Sequence, residues 1–153
     1  MLEGNAMEKV ILLIEDNESD EKLTVLAFRK TGVANEIVVQ RDGAAALDYI
    51  FETGEHAGRA GGLPTIVLLD LNLPKIDGLE VLRRIRAEER TRFLPVVVLT
   101  ASKEDEDVLK SYALGANAYV RKPVEFSRFA EAARTLGLFW LLLNEPAPDT
   151  RPG

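Results

Sequence analysis

The sequence has 153 residues but contains no cysteine and only one histidine, His56. Without cysteine, disulfides, thiol catalysis and cysteine-bound metals are excluded. A single histidine likewise excludes a metal site built on imidazoles. Because His56 lies in a glycine-rich stretch rather than on a helix, we expect it to be solvent-exposed and not a phosphotransfer residue.

Long apolar runs and an excess of positive charge are also missing. The longest apolar run near the C-terminus, LGLFWLLL, is far shorter than the roughly 20 residues that span a membrane, and MLEGNAMEK lacks the apolar core of a signal peptide. The formal charge is −6, from 19 Lys and Arg against 25 Asp and Glu, so neither nucleic acid nor an anionic membrane is expected as a partner. The arginines at positions 83, 84, 86, 90 and 92 then belong to an exposed helix face. We expect a cytoplasmic protein.

Strand-like and helix-like patterns alternate along the chain. Apolar runs typical of buried strands occur at 9–14, 35–40, 65–69, 95–100 and 117–123. Amphipathic helices are predicted at about 19–30, 42–53, 77–89, 102–114 and from 124, the fourth opened by a capping box of Ser102 and Asp105. This order predicts an α/β fold, a five-stranded parallel sheet with helices on both faces. The glycine-rich loop at 54–64 is expected to be mobile.

Polar side chains stand where the predicted strands end. Glu15 and Asp16 follow the first strand, Asp70 follows the third, and Thr100 and Lys122 end the fourth and fifth. The carboxyl ends of parallel strands meet at one edge of a sheet, so these groups should converge in one crevice. Each residue alone has an ordinary interpretation, as a turn cap, a solvated charge or a surface lysine. One such group at each of four strand ends is much more specific.

This combination of groups predicts phosphoryl chemistry. Three crowded carboxylates repel one another unless a cation is present, and an all-oxygen ligand set favours Mg²⁺. The Lys122 ammonium and the Thr100 hydroxyl would add positive charge and a donor where negative charge develops on a transferring phosphoryl group. Asp70 is the candidate nucleophile, because carboxylates can accept phosphoryl groups covalently.

The motifs LLIEDN, LLDLNLPKIDG, VVVLTAS and YVRKP together resemble the receiver domain of bacterial two-component response regulators. The resemblance spans residues 8–143, with disordered tails expected at 1–7 and 144–153. It implies a doubly wound, flavodoxin-like sheet with strand order 2-1-3-4-5. It also implies a signalling protein rather than an enzyme, whose partner is a sensor histidine kinase.

The resemblance assigns a role to each site residue. Asp70 would be the phosphoacceptor, with Mg²⁺ held beside it by Asp16 and the backbone carbonyl of Asn72. Glu15 stands where the family often has a second aspartate, and its longer side chain would act through a metal-bound water. Thr100 and Lys122 would complete the catalytic set by contacting the phosphoryl oxygens.

Signalling in the family passes through a switch. Tyr119 occupies the position of an aromatic residue that turns inward when the threonine, here Thr100, moves toward the phosphate; its ordinary alternative is a half-buried strand aromatic. The output surface would be the face formed by strands four and five and the last helix. The Lys122–Pro123 peptide is expected to be cis.

The loop at 54–64, the LNLPKIDG segment and the LFWLLL ending resemble those of stand-alone receivers that accompany phytochrome-type histidine kinases. No output domain is expected after the last helix. An endpoint regulator, a shuttle that passes phosphate onward and a receiver-like scaffold that is never phosphorylated all remain open.

Two other protein classes fit parts of the pattern. A flavodoxin-like electron carrier would share the fold, but EDNESD after the first strand repels phosphate. A phosphatase with an aspartyl-phosphate intermediate would carry a second aspartate two residues after the nucleophile, where this chain has Asn72.

The distribution of apolar residues along the last helix predicts a protein partner. Its inward stripe comprises Phe126, Phe129, Ala130, Ala133, Leu136 and Trp140. Leu138, Phe139 and Leu142 fall off that stripe, so the end of the helix is apolar all round. A two-fold homodimer that buries these three residues is the simplest way to cover them.

Overall fold

A computed structural model of the chain describes residues 9–30, 36–101, 104–122, 125–136, 140 and 144–148. In this described part the strands are β1 (Val10–Ile14), β2 (Glu36–Gln40), β3 (Ile66–Leu69), β4 (Val96–Thr100) and β5 (Ala118–Arg121). The helices are α1 (Glu18–Arg29), α2 (Gly43–Phe51), α3 (Gly78–Ala87), α4 (Asp105–Ala113) and α5 (Phe126–Leu136). Each predicted element is present, with boundaries that differ by at most three residues.

The sheet has the order β2-β1-β3-β4-β5, and every neighbouring pair is parallel. The predicted fold and strand order are therefore confirmed. Ile14 at the end of β1 is in register with Gln40 of β2 and Leu69 of β3. This register brings the residues that follow β1 and β3 to the same edge of the sheet.

Two apolar cores lie on opposite faces of the sheet. One contains the inward residues of α2 and α3, among them Ile50 and Leu82, and the other contains those of α1 and α5. The strand residues of β1 and β3 divide between the two cores in alternation, so Leu12 and Leu13 pack against different helices. A strand covered on both faces needs an uninterrupted apolar run, which explains the composition of VILLI and IVLL.

Asparagine and aspartate side chains cap the N-termini of three helices. Asn17, Asp42 and Asp77 accept hydrogen bonds from backbone N–H groups in the first turns of α1, α2 and α3 at 2.9, 2.7 and 3.0 Å. The predicted capping box of α4 is wrong, because α4 starts at Asp105, its N-cap is Glu104, and the Glu104 side chain makes no capping hydrogen bond. Ser102 itself lies outside the described residues.

The loop at 54–64 is held by several contacts that its glycine-rich sequence did not indicate, and its mobility stays a prediction. Arg59 donates to the Tyr49 carbonyl at 2.7 Å and to the Gly62 carbonyl at 2.9 Å, and its guanidinium lies 3.9 Å from the Tyr49 ring centre. His56 is half-buried, not solvent-exposed as expected, with its ring edge-on to Tyr49 at 5.2 Å. Both features follow from the tertiary contacts of one arginine and one tyrosine.

Helix α5 packs on the sheet through the predicted stripe. Phe129 and Ala133 are buried, and the rest of the stripe is partly buried against the same core. Leu138, Phe139 and Leu142 lie outside the described residues, as does Pro123. In the described part of the chain, no helix has the length and apolar character to cross a membrane.

Candidate functional site

Asp70 is held at the mouth of β3 by its neighbours. Its side chain is nearly buried, with 6% of the residue exposed. The Thr100 hydroxyl and the Asn72 backbone N–H both donate to Asp70 Oδ1, at 2.8 and 3.0 Å. The Asp70 N–H in turn donates to the Ile14 carbonyl at 3.0 Å, so the sheet fixes the backbone beneath the carboxylate. One oxygen of Asp70 is thus oriented by two donors.

The carboxylates of Glu15, Asp16 and Asp70 form a cluster in which one ligand oxygen from each lies within 4.8 Å of the others. Glu15 is 1% exposed, whereas Asp16 faces solvent. The strand register brings these residues together, because Asp70 and Glu15 directly follow paired strands. Asn72 contacts the site through its backbone N–H, which donates to Asp70. The role of its carbonyl as a metal ligand stays a prediction.

Lys122 bridges the cluster. Its Nζ lies 2.6 Å from Glu15 Oε1, 2.8 Å from Asp20 Oδ2 and 3.1 Å from Asp70 Oδ2. Sequence reasoning missed Asp20, although it belongs to the acidic stretch EDNESD. The available signal was its place in the first turn of α1, where the side chain points back toward the strand ends.

The environment shifts the pKa values of Glu15, Asp70 and Lys122. Burial raises the pKa of Glu15 to about 7, although the Lys122 hydrogen bond opposes that shift. Burial also acts to raise the pKa of Asp70, but hydrogen bonds from Glu15, Asn72 and Thr100 outweigh it and hold this pKa below its ordinary value. Burial acts to lower the pKa of Lys122, yet its bonds to Asp20 and Glu15 raise it overall. At neutral pH Asp70 is therefore ionised and Lys122 is a cation.

The donor set fits a hard divalent cation. Every candidate ligand in the cluster is a carboxylate oxygen, which is the ligand type that Mg²⁺ prefers. The single ammonium of Lys122 faces the carboxylates of Glu15, Asp20 and Asp70, so uncompensated negative charge remains. Burial is the main cause of the raised pKa of Glu15, and the neighbouring Asp70 carboxylate adds to it.

The predicted switch residues, Thr100 and Tyr119, lie on the neighbouring strands β4 and β5. Thr100 is fully buried and bonded to Asp70. Tyr119 is half-buried and packs against the core that holds α2 and α3, whereas α5 packs against the opposite core. Tyr119 and α5 therefore share an edge strand but not a face of the sheet.

A second half-buried cation, Arg86, lies near the amino ends of β4 and β5. Its guanidinium donates to the Gly115 carbonyl at 2.7 Å, the Leu94 carbonyl at 2.6 Å and Asn117 Oδ1 at 3.1 Å. The interpretation of an exposed arginine face is therefore wrong for Arg86. It is also wrong for Arg90, which is half-buried beyond the end of α3 and pairs with Glu52 at 3.4 Å. Arg83 does lie on the exposed face, where it pairs with Glu80.

Comparison with known proteins agrees with this geometry. The family model described as the response regulator receiver domain matches residues 11–134. A curated relative, the probable methanogenesis regulatory protein FilR2 of Methanothrix harundinacea, is 43% identical over 140 residues, covering 91% of this chain and 88% of that protein. This chain belongs to the response regulator receiver family, whose members are signalling proteins.

Two solved structures are similar over nearly their whole length. The phosphorylated cyanobacterial phytochrome response regulator RcpA is 37% identical with a TM-score of 0.82, covering 92% of this chain and 99% of that one. The bacteriophytochrome response regulator AtBRR is 54% identical with a TM-score of 0.73, covering 90% and 98%. The chain therefore resembles response regulators of phytochromes. Receiver domains bind Mg²⁺ in an acidic site, and the carboxylate cluster fits that property.

Proposed function

We propose that this chain is a response regulator receiver in which Asp70 accepts a phosphoryl group from a sensor histidine kinase. The observation that carries the proposal is the arrangement around one carboxylate. Asp70 is nearly buried, is oriented through Oδ1 by Thr100 and Asn72, and is approached at Oδ2 by Lys122. Few structural roles require a carboxylate that is both buried and kept ionised in this way.

The transfer consists of one displacement. An Asp70 carboxylate oxygen attacks the phosphorus of a phosphohistidine. An O–P bond forms, the N–P bond breaks, and the imidazole nitrogen keeps the electron pair and takes up a proton from solvent. Lys122, now bonded to three carboxylates, is within reach of the incoming phosphoryl oxygens. The Thr100 hydroxyl, now donating to Asp70 at 2.8 Å, can redirect its hydrogen bond to the phosphoryl group.

The proposal includes Mg²⁺ as the divalent cation of this site. Glu15, Asp16, Asp70 and the carbonyl of Asn72 would hold it, with Glu15 acting through a water because its side chain already bonds Lys122. When bound, Mg²⁺ would neutralise charge on the phosphoryl oxygens. Phosphorylation is then expected to act on Thr100 and Tyr119 and on the face formed by β4, β5 and α5.

The test uses acetyl phosphate as donor and intact mass as readout. Wild-type protein with Mg²⁺ should gain the mass of one phosphoryl group. Asp70→Asn, which has the same size but no nucleophilic charge, should gain none, and EDTA should abolish the gain in wild type. Phosphorylation that persists in Asp70→Asn would refute the assignment of Asp70.

The kinase partner is proposed to be of the phytochrome type, on the strength of the similarity to RcpA and AtBRR. A cytoplasmic location is part of this proposal, and the absence of cysteine is compatible with a reducing compartment. Transfer from a purified bacteriophytochrome kinase under red and far-red light tests it. Equal transfer in both light conditions, or none, would argue for another class of kinase.

Homodimerisation through the C-terminal helix is the second part of the proposal. It rests on the sequence pattern of Leu138, Phe139 and Leu142, which the inward stripe of α5 leaves out. Sedimentation of wild type should show a dimer at tens of micromolar, and Leu138→Glu with Leu142→Glu should give a monomer. A wild type that stays monomeric, phosphorylated or not, would assign this patch to the kinase interface instead.

A further inference from the structure

The loop after β3 contains a strained turn at Pro74–Ile76. The Ile76 N–H donates to the Pro74 carbonyl at 2.8 Å, and Lys75 between them has a φ of 67°. A hydrogen bond between residues two apart, around a centre with positive φ, defines the rare and strained form of the γ-turn. A side-chain-bearing residue stays in such a conformation only where its surroundings impose it.

The N-terminus of α2 supplies those surroundings. The Gly43 N–H donates to the Pro74 carbonyl at 3.2 Å, and the neighbouring Asp42 pairs with the Lys75 ammonium at 3.5 Å. The approach is so close that a Cβ on Gly43 would lie 1.8 Å from the Ile76 carbonyl oxygen. Gly43 does not have a positive φ, so glycine is required here for space and not for backbone conformation.

The other end of the loop is anchored equally closely. The Gly78 N–H at the start of α3 donates to the Leu71 carbonyl at 2.9 Å, and a Cβ there would lie 2.4 Å from the Asp70 carbonyl oxygen. Between these two anchors lies Asn72, whose N–H holds Asp70 Oδ1 at 3.0 Å. The loop that orients the Asp70 carboxylate is thus held between the first residues of two helices.

We propose that Gly43 is a positioning residue for phosphoryl transfer at Asp70. Because Gly43 allows α2 to touch the Pro74–Ile76 turn, it sets the position of the loop and hence of the Asn72 N–H. Non-bonded carbon and oxygen atoms normally lie about 3.5 Å apart, so a methyl group at position 43 has to displace the Ile76 carbonyl. This inference rests on the proposed function of Asp70 but concerns a residue on another strand–helix connection.

The experiment compares Gly43→Ala with Gly58→Ala. Gly58 is a matched control because a Cβ there would meet no atom within 4 Å, while its φ of 76° makes alanine strained. Three quantities are measured: the affinity for Mn²⁺ by electron paramagnetic resonance, the initial rate of phosphorylation by acetyl phosphate, and the urea midpoint. The amide ¹H–¹⁵N resonance of Asn72 reports the position of the loop directly.

Gly43→Ala should shift the Asn72 resonance and reduce both the Mn²⁺ affinity and the phosphorylation rate by about tenfold, because small misplacements of reacting groups carry large kinetic penalties. Gly58→Ala should change only the urea midpoint. The inference is overturned if folded Gly43→Ala stays within twofold of wild type in affinity and rate, or if both variants lose them equally.

A second variant, Lys75→Gly, covers the case in which Gly43→Ala does not fold. Glycine accepts a positive φ without strain, so the turn should persist and the Mn²⁺ affinity should stay within twofold if the contact with Gly43 holds it. A tenfold loss in Lys75→Gly would assign the positioning to the Lys75 side chain and overturn the inference. The Mn²⁺ and resonance measurements need no phosphodonor, so they remain decisive even if wild-type Asp70 proves unable to accept phosphate.

Discussion

Two half-buried cations near opposite ends of the sheet have contrasting surroundings. Lys122, at the carboxyl end, contacts the carboxylates of Glu15, Asp20 and Asp70. Arg86, near the amino end, donates to the carbonyls of Gly115 and Leu94 and to the Asn117 side chain. One cation is surrounded by anions and the other by neutral dipoles.

This difference separates the proposed reactive site from a structural one. Neutral carbonyls satisfy the hydrogen-bond donors of Arg86 without adding charge, so its surroundings have no excess negative charge that would attract a cation. The carboxylates around Lys122 outnumber it, so the site still attracts a divalent cation. Burial is similar at the two ends, and the balance of charge distinguishes them.

The largest effect is expected at the reactive end. Lys122→Met keeps the length of the side chain but removes the charge that would face the phosphoryl group. We expect the rate of phosphorylation by acetyl phosphate to fall by about 100-fold or more, as for other residues that stabilise developing charge. The rate is followed by intact mass in saturating Mg²⁺. A rate within threefold of wild type would mean that Lys122 only balances the carboxylates of the resting protein.

The structural end should respond in stability instead. Arg86→Leu leaves the Gly115 and Leu94 carbonyls without their donors, and we expect a loss of about 3 kcal/mol in the free energy of unfolding. Urea titration measures it, and phosphorylation of the folded fraction should proceed at the wild-type rate. A slowed reaction in fully folded Arg86→Leu would break the contrast between the two ends.

Metal affinity should depend on pH through Glu15. Burial raises the pKa of Glu15 to about 7 in the metal-free protein. Below pH 7, therefore, a proton must leave Glu15 before a cation can bind. The apparent Mn²⁺ affinity should be constant above about pH 7 and fall by up to about tenfold per unit below it. Titrations at pH 8, 7 and 6 measure this. Glu15→Gln should flatten the dependence, and a flat wild-type profile would refute it.

The smallest effect is expected on the exposed face of α3. Arg83 pairs with Glu80 at 2.6 Å, but both side chains are partly solvated. Such exposed pairs contribute little, so Arg83→Ala should leave the urea midpoint of unfolding nearly unchanged. This variant is the control for Arg86→Leu, since both remove one arginine from the same helix. A larger effect would show that stability depends on the charge of α3 and not on the contacts of Arg86.

Local patterns in the sequence were sufficient for the architecture and for most of the site. The apolar runs before Glu15 and Asp70 predicted buried strands, because a strand covered on both faces leaves no room for polar residues. Once the strands are parallel, their carboxyl ends share an edge, so the strand ends, with the strand order that the family resemblance implied, place Asp70, Thr100 and Lys122 together. The inward stripe of α5 was likewise predictable from helical periodicity alone.

Tertiary structure decided the features that depend on contacts between distant segments. Asp20 joins the site only because α1 brings it to Lys122, and His56 is half-buried only because Arg59 closes its loop on Tyr49. The buried position of Arg86 and the need for glycine at position 43 are of the same kind, since no local pattern distinguishes them from a surface arginine or an ordinary turn glycine. Periodicity reports which face a residue occupies, whereas charge balance and atomic clearance depend on what another segment places against it.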